Sequence, residues 1–143
     1  MPPGPPVPPG VPADVRAFLE EPRYAVMATI NSSGTPQLTV MWYVLHPTAD
    51  VVLVNSSRGT LKVKNLRRDP RMVLCVEDGP RYVTLQGTAE LVEDRTAQER
   101  EVNEQIAPRY IGQRLGSRRW EAIKGADRIG IRMRIDKVHA RGF

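Results

Sequence analysis

Along most of this chain apolar and polar residues alternate in short runs, and that two-residue period predicts strands. Residues 24–30 are β-rich and lead into Asn31, Ser32, Ser33 and Gly34, a hairpin signal. Residues 37–45 are apolar at consecutive positions in their second half, which predicts a second strand buried on both faces. Residues 51–55 form a predicted third strand, residues 71–76 a fourth and residues 82–93 a long fifth, with Gly87 and Thr88 marking a bend or bulge. Residues 47–50 and 78–80 supply turns. The cleanest alternation is in residues 128–138. Ile129, Ile131, Met133 and Ile135 share one face there, and Gly130, Arg132, Arg134 and Asp136 the other.

Helical spacing is confined to a few segments. Val15, Phe18 and Leu19 fall at helical intervals in residues 13–21, between Pro12 and Pro22. Residues 60–68 read as a short helix ended by Asp69 and Pro70. Asp94 is a suitable N-cap for a helix over residues 96–106, with an interruption expected at Pro108. Residues 117–123 read as a further short helix ended by Gly125. Residues 1–12 are mostly Pro and Gly and predict a disordered leader, so the domain is expected to span residues 13–143. The prediction is a mainly β protein of six antiparallel strands with short helices, for which a small barrel is the natural closure.

Composition narrows this only slightly. A chain of 143 residues with 26% charged and 41% hydrophobic residues suits one globular domain. The net charge of +5 favours an anionic partner: nucleic acid, a membrane surface or a phosphorylated small molecule. The strands lack the exposed aromatics interleaved with Lys and Arg that single-stranded nucleic acid requires, so no nucleic-acid partner is expected. No apolar run approaches membrane-spanning length, and no cationic-then-apolar start marks a secretory signal. Cys75 is the single cysteine, so no disulfide framework exists, and a reducing cytoplasm is the expected setting. Cys75 sits in an apolar run and reads as a small core hydrophobe. The two histidines, His46 and His139, stand apart from any acidic or cysteine cluster, so no metal site is expected. No nucleophile–base set is visible either, and no catalytic residue is assigned.

Candidate chemistry concentrates in residues 55–71. Arg58, Lys62, Lys64, Arg67, Arg68 and Arg71 face a single acid, Asp69. A strand, a Ser/Gly/Thr turn and a helix start in that order make an anion site. The first N–H groups of a helix have no internal acceptor, and its dipole favours negative charge there. Lys62 adds a point charge just inside that helix. The strict phosphate-loop spacing is absent, and a solvated basic helix fits the same residues.

The chain resembles the flavin- and deazaflavin-binding split-barrel family related to pyridoxamine 5′-phosphate oxidase. The motifs are Ala25–Ile30, Gly34–Leu38 with Trp42 after it, Lys62–Arg71 with its KxxNLRRDPR string, and Val83–Ala89. Within the family it is most similar to the coenzyme F420-dependent reductases. The resemblance implies a homodimer of six-stranded, Greek-key split barrels with a cofactor groove at the interface. It implies F420 as cofactor, with FMN as the alternative, and hydride transfer to an electron-poor small molecule. A cofactor-binding protein without turnover remains open. Carried over by position, Lys62 and Asn65 would hold the cofactor phosphate with help from Thr60. Asn55 and Ser56 would line the same cleft, and Gln37, Thr39 and Val40 would run beside the ring system. Trp42 would wall the substrate side or belong to the core. Thr60 stands where some relatives carry arginine, so Arg58 or Lys64 is a candidate replacement charge. Tyr43 is a possible proton source, and Arg118 and Arg119 possible contacts to an anionic tail.

Overall fold

A computed structural model describes residues 10–123 and 127–143. Seven strands form one antiparallel sheet: β1 (Ala25–Ile30), β2 (Pro36–Met41), β3 (Val44–Leu45), β4 (Val51–Ser57), β5 (Arg71–Asp78), β6 (Arg81–Val92) and β7 (Arg128–Arg141). Their order across the sheet is β2-β1-β5-β6-β7-β4-β3. The sheet curls around one core, to which Met27, Tyr43, Val54, Leu74, Leu85, Ile131 and Met133 contribute from six different stretches of chain. Helix α1 (Ala13–Glu20) closes one end by burying Val15, Phe18 and Leu19. Helix α2 (Leu61–Arg68) sits between β4 and β5 and buries Val63, Asn65 and Leu66. Helix α3 (Arg95–Arg100), a π-helical segment (Glu101–Ile106) and helix α4 (Ala107–Ile123) form the cover between β6 and β7.

The alternation expected in the last strand is realised. Ile129, Ile131 and Met133 are fully buried, whereas Arg134 and Asp136 are exposed. The bulge expected near Gly87 is also present, as a register shift between Gln86 and Gly87 against β7. A side chain at Gly87 would put its Cβ 2.1 Å from the Arg134 carbonyl oxygen, so the close passage of the two backbones requires glycine. In the β1–β2 turn Gly34 adopts φ 90, in the region that only glycine enters cheaply.

Three expectations are corrected. The strand over residues 37–45 breaks at Trp42 and Tyr43, giving seven strands rather than six. It is not buried on both faces. β2 pairs only with β1 and lies at the sheet edge, leaving Leu38 and Val40 more than half exposed, while Tyr43 and Leu45 alone enter the core. Pro108 does not interrupt the helical cover, which runs on from the π-helical segment through Ala107, itself in helical φ/ψ, so that the wider π-helical turn directly precedes the proline. The break falls instead at Gly112, with φ 78 and ψ 166. Asp94 caps α3 as expected, accepting from the Ala97 N–H at 2.7 Å. Cys75 is half-buried on β5 and stands outside the core cluster. Residues 1–9 of the expected leader, and Gly125, lie outside the described residues. Val11 packs against the core, and its N–H donates to Asp50. Among the described residues no helix is long and apolar enough to cross a membrane.

Candidate functional site

The segment from β4 into α2 is built as its sequence suggests. The Thr60 hydroxyl donates to the Ser57 carbonyl at 3.0 Å and lies 3.3 Å from the Ser56 hydroxyl, which tightens the turn. Thr60 is the N-cap of α2, yet its side chain accepts no helix N–H. The first-turn N–H groups of α2 therefore lack a side-chain cap, the condition under which a helix start attracts an anion.

This turn opens onto a cleft of about 410 Å³. Val40, Met41 and Trp42 approach from the end of β2, and Asn55, Ser56 and Ser57 from the end of β4. Thr60 and Lys62 stand at the start of α2, and Arg128 opens β7. The cover contributes Val102, Ile106, Arg119 and Ile123. The lining thus combines cationic and hydroxyl groups with aliphatic and aromatic ones.

Two cations of the cleft, Lys62 and Arg128, are partly buried without an acidic partner among the described residues. Several other arginines are engaged by acids: Arg58 by Glu93 and Asp127, Arg67 by Glu93, Arg71 by Asp69, Arg132 by Glu101 and Arg134 by Asp136. Arg128 donates instead to the Asn55 amide oxygen and to the Ser57 hydroxyl, both at 3.0 Å. Asn55 is held in turn by Gln98, at 2.9 Å. Burial, and then the neighbouring Arg128, hold the Lys62 ammonium below the usual lysine pKa. Burial, and then Arg119, act on Arg128 in the same direction. Cations held close together and partly dehydrated, with no counterion, are the arrangement an anionic ligand relieves.

Six of the nine residues suggested by sequence line this cleft: Val40, Trp42, Asn55, Ser56, Thr60 and Lys62. Gln37 and Thr39 point to the other face of β2, opposite Thr29 and Met27, and do not line it. Asn65 is fully buried. Its amide donates to the Thr29 hydroxyl at 3.1 Å and to the Asn31 side-chain oxygen at 2.9 Å, tying α2 to the β1–β2 hairpin. Arg58 is engaged in its ion pairs, and the second cation that lines the cleft near Lys62 is Arg128, which sequence reasoning missed. Only the register of β4 with β7, which sets Ser57 opposite Arg128, reveals that neighbour. Arg119 lines the cleft, whereas Trp120 is buried in a second small core with Val102 and Ala107. Tyr43 is buried, its hydroxyl donates to the Leu19 carbonyl at 2.8 Å, and burial pushes its pKa up to about 12. It is a core phenol, unsuited to delivering protons.

A larger cavity of about 600 Å³ lies between α3 and the outward faces of β4, β6 and β7. Its charges are balanced rather than cationic, because Arg132 pairs with Glu101 and Arg134 with Asp136. Among the described residues no three His, Cys, Asp or Glu side chains gather as metal ligands.

Comparison with known proteins places the fold in a family. The F420H(2)-dependent biliverdin reductase of Mycobacterium tuberculosis (strain CDC 1551 / Oshkosh) is 29% identical over 106 residues, covering 74% of this chain and 77% of the relative. The crystal structure of the conserved hypothetical protein Rv2991 from Mycobacterium tuberculosis superposes with a TM-score of 0.78 at 29% identity, covering 90% of this chain and 82% of that one. A structure titled F420 reductase gives a TM-score of 0.68 at 25% identity, covering 90% and 98% respectively. Residues 11–140 match the pyridoxamine 5′-phosphate oxidase family model, and the chain belongs to that family.

Proposed function

We propose that the protein is an oxidoreductase that binds coenzyme F420 in the cleft at the start of α2 and reduces an electron-poor small molecule. The observation that carries this reading is the pair Lys62 and Arg128, partly buried and without a carboxylate partner among the described residues. With the uncapped first turn of α2 they suit a phosphate. The apolar part of the lining, with Trp42, Val40, Ile106 and Ile123, suits a flat ring system. When bound, the deazaflavin would supply two-electron hydride chemistry. This chain's residues would then bind, orient and exclude water: Lys62 and Arg128 at the phosphate, Asn55 and Ser57 steering Arg128, and the cover residues Val102 and Ile106 drying the ring end. The names of the F420-dependent relatives support this cofactor.

The working unit we propose is a homodimer. Tyr24, Val26, Leu38 and Val40 are exposed apolar residues on the outer surface near the sheet edge. The register sets Val26 against Val40 and Ala28 against Leu38, so these side chains share one face. Val40 also lines the cleft, so a second copy seated on this face would border the cofactor.

The deciding experiment is a fluorescence titration of the purified protein with F420 and, in parallel, with FMN. Saturable F420 binding with weaker FMN binding supports the proposal. Preference for FMN moves the protein to the flavin side of the family, and binding of neither removes the case for an oxidoreductase.

A further inference from the structure

The chain enters the cleft at the interruption between β2 and β3, where Trp42 and Tyr43 have no ladder partner. A single side chain from α4 replaces that ladder. The Tyr110 hydroxyl accepts from the Tyr43 N–H at 3.1 Å. It donates to the Arg23 carbonyl at 2.6 Å, and the Tyr43 carbonyl lies 3.0 Å away. The Tyr110 ring is stacked with Trp42, centroids 5.0 Å apart and planes 7° from parallel. It is also stacked with Tyr24, at 5.9 Å and 12°. The preceding residue anchors the same helix. Arg109 donates to the carbonyls of Leu19, Glu20 and Glu21 at the end of α1, where a helix presents unpaired oxygens and negative dipole. Its guanidinium lies 4.8 Å from the Tyr43 ring centroid.

These contacts concern one wall of the cleft. Trp42 is half-buried, lines the cleft and lies just beyond the regular end of β2. A large side chain beside a strand break has no sheet neighbour to select its rotamer, so selection must come from packing. Tyr110 supplies that packing, and its hydroxyl bonds lock the backbone on either side. We propose that Tyr110 is a positioning residue that holds the Trp42 indole as a fixed wall for a planar conjugated ligand. The helical cover thereby sets the shape of the slot beside β2. The part of this inference that concerns a ligand rests on the reading of the cleft as a ring-and-phosphate site; the part that concerns Trp42 does not.

The test compares Tyr110→Phe, which keeps the ring and loses the hydroxyl, with Tyr110→Leu, which loses both. Two readouts need no cofactor: near-ultraviolet circular dichroism and acrylamide quenching of tryptophan fluorescence. The other tryptophan, Trp120, is buried, so a change in quenching reports on Trp42. In Tyr110→Leu the aromatic dichroism should fall and quenching should rise, while Tyr110→Phe, which keeps the ring stack but loses the backbone lock, should lie between it and the wild type. Affinity for F420 or FMN, whichever the wild type binds, should weaken about three- to tenfold in Tyr110→Leu, the scale of one aromatic pair. Binding of inorganic phosphate, measured by calorimetry, should be unchanged. A folded Tyr110→Leu with wild-type dichroism and quenching overturns the proposal, as does equal loss of ring and phosphate affinity. If the wild type binds neither ring compound, the proposed function fails while the spectroscopic readouts still decide the role of Tyr110. Should Tyr110→Leu not fold, Tyr110→Met replaces it, with the same two readouts and the same outcomes.

Discussion

Lys62 is held below its usual pKa because folding partly dehydrates it beside Arg128. Two pH effects of opposite sign follow. Its folded pKa lies below that of the unfolded chain, so raising the pH through the window between them favours the folded state. The same rise discharges the ammonium and weakens anion binding. Titrating affinity and urea stability at neutral and alkaline pH should show them diverging, and parallel trends would deny Lys62 this role. Lys62→Ala and Arg128→Ala should each weaken phosphate-ligand binding about tenfold or more, the scale of a lost charge-assisted hydrogen bond. Asn65→Ala should behave differently. It breaks the buried tie to Thr29 and Asn31 and should cost about 1–3 kcal/mol of stability in urea unfolding. Affinity should be spared in that variant; a loss of affinity without loss of stability would make Asn65 a phosphate ligand after all. At this scale the sequence was legible where a residue's role depends on near neighbours. Thr60 and Lys62 lie close together in the chain, and their turn is local. Arg128 escaped because the cleft partner it donates to, Asn55, is 73 positions away.

One of the contacts that dock the α3–π–α4 cover on the sheet is made by a buried acid. The Glu101 side chain is only 4% exposed, and one of its oxygens accepts from Arg132 Nε at 2.7 Å. Gly130 makes room for it, since a Cβ there would lie 3.3 Å from the other oxygen. Arg132→Met would strand that carboxylate in the protein interior. Because Arg132 is itself part-exposed, the expected loss is about 2 kcal/mol, below the full cost of breaking a buried pair. Glu101→Gln, which removes the charge and nearly keeps the shape, should cost less. Equal unfolding midpoints for Arg132→Met and the wild type would show that the pair contributes nothing. Element types followed from period and turn residues, as for β7 with its alternating isoleucines. Pro108 misled because a proline that ends a helix and one carried within a helical run just after a π-helical turn look alike in sequence. The split between β2 and β3 was hidden too, because Met41, Trp42 and Tyr43 are uniformly apolar or aromatic and carry no turn signal.

For the molecule as a whole, the outer face bearing Val26, Leu38 and Val40 gathers exposed apolar side chains and is the surface on which the proposed dimer rests. Leu38→Asp should shift the assembly toward monomer in sedimentation velocity and weaken cofactor binding with it. A wild type that already sediments as a monomer would remove the dimer from the proposal. The mainly β class was readable from alternation. The strand order was not, because pairing is a relation between segments that periodicity within one segment does not encode.

That order has a kinetic side. The cleft draws on β2 at one edge of the sheet and on β4 near the other, and its cationic wall closes only when β4 meets β7. Arg128 and Asn55 must find each other across 73 positions of chain, and loops of that span close late. The N-terminal hairpin can form early without creating any affinity for a ligand. Cofactor capture during refolding should therefore track the slowest cooperative phase, and a chain stalled before β7 docks would hold much of its sheet yet bind nothing.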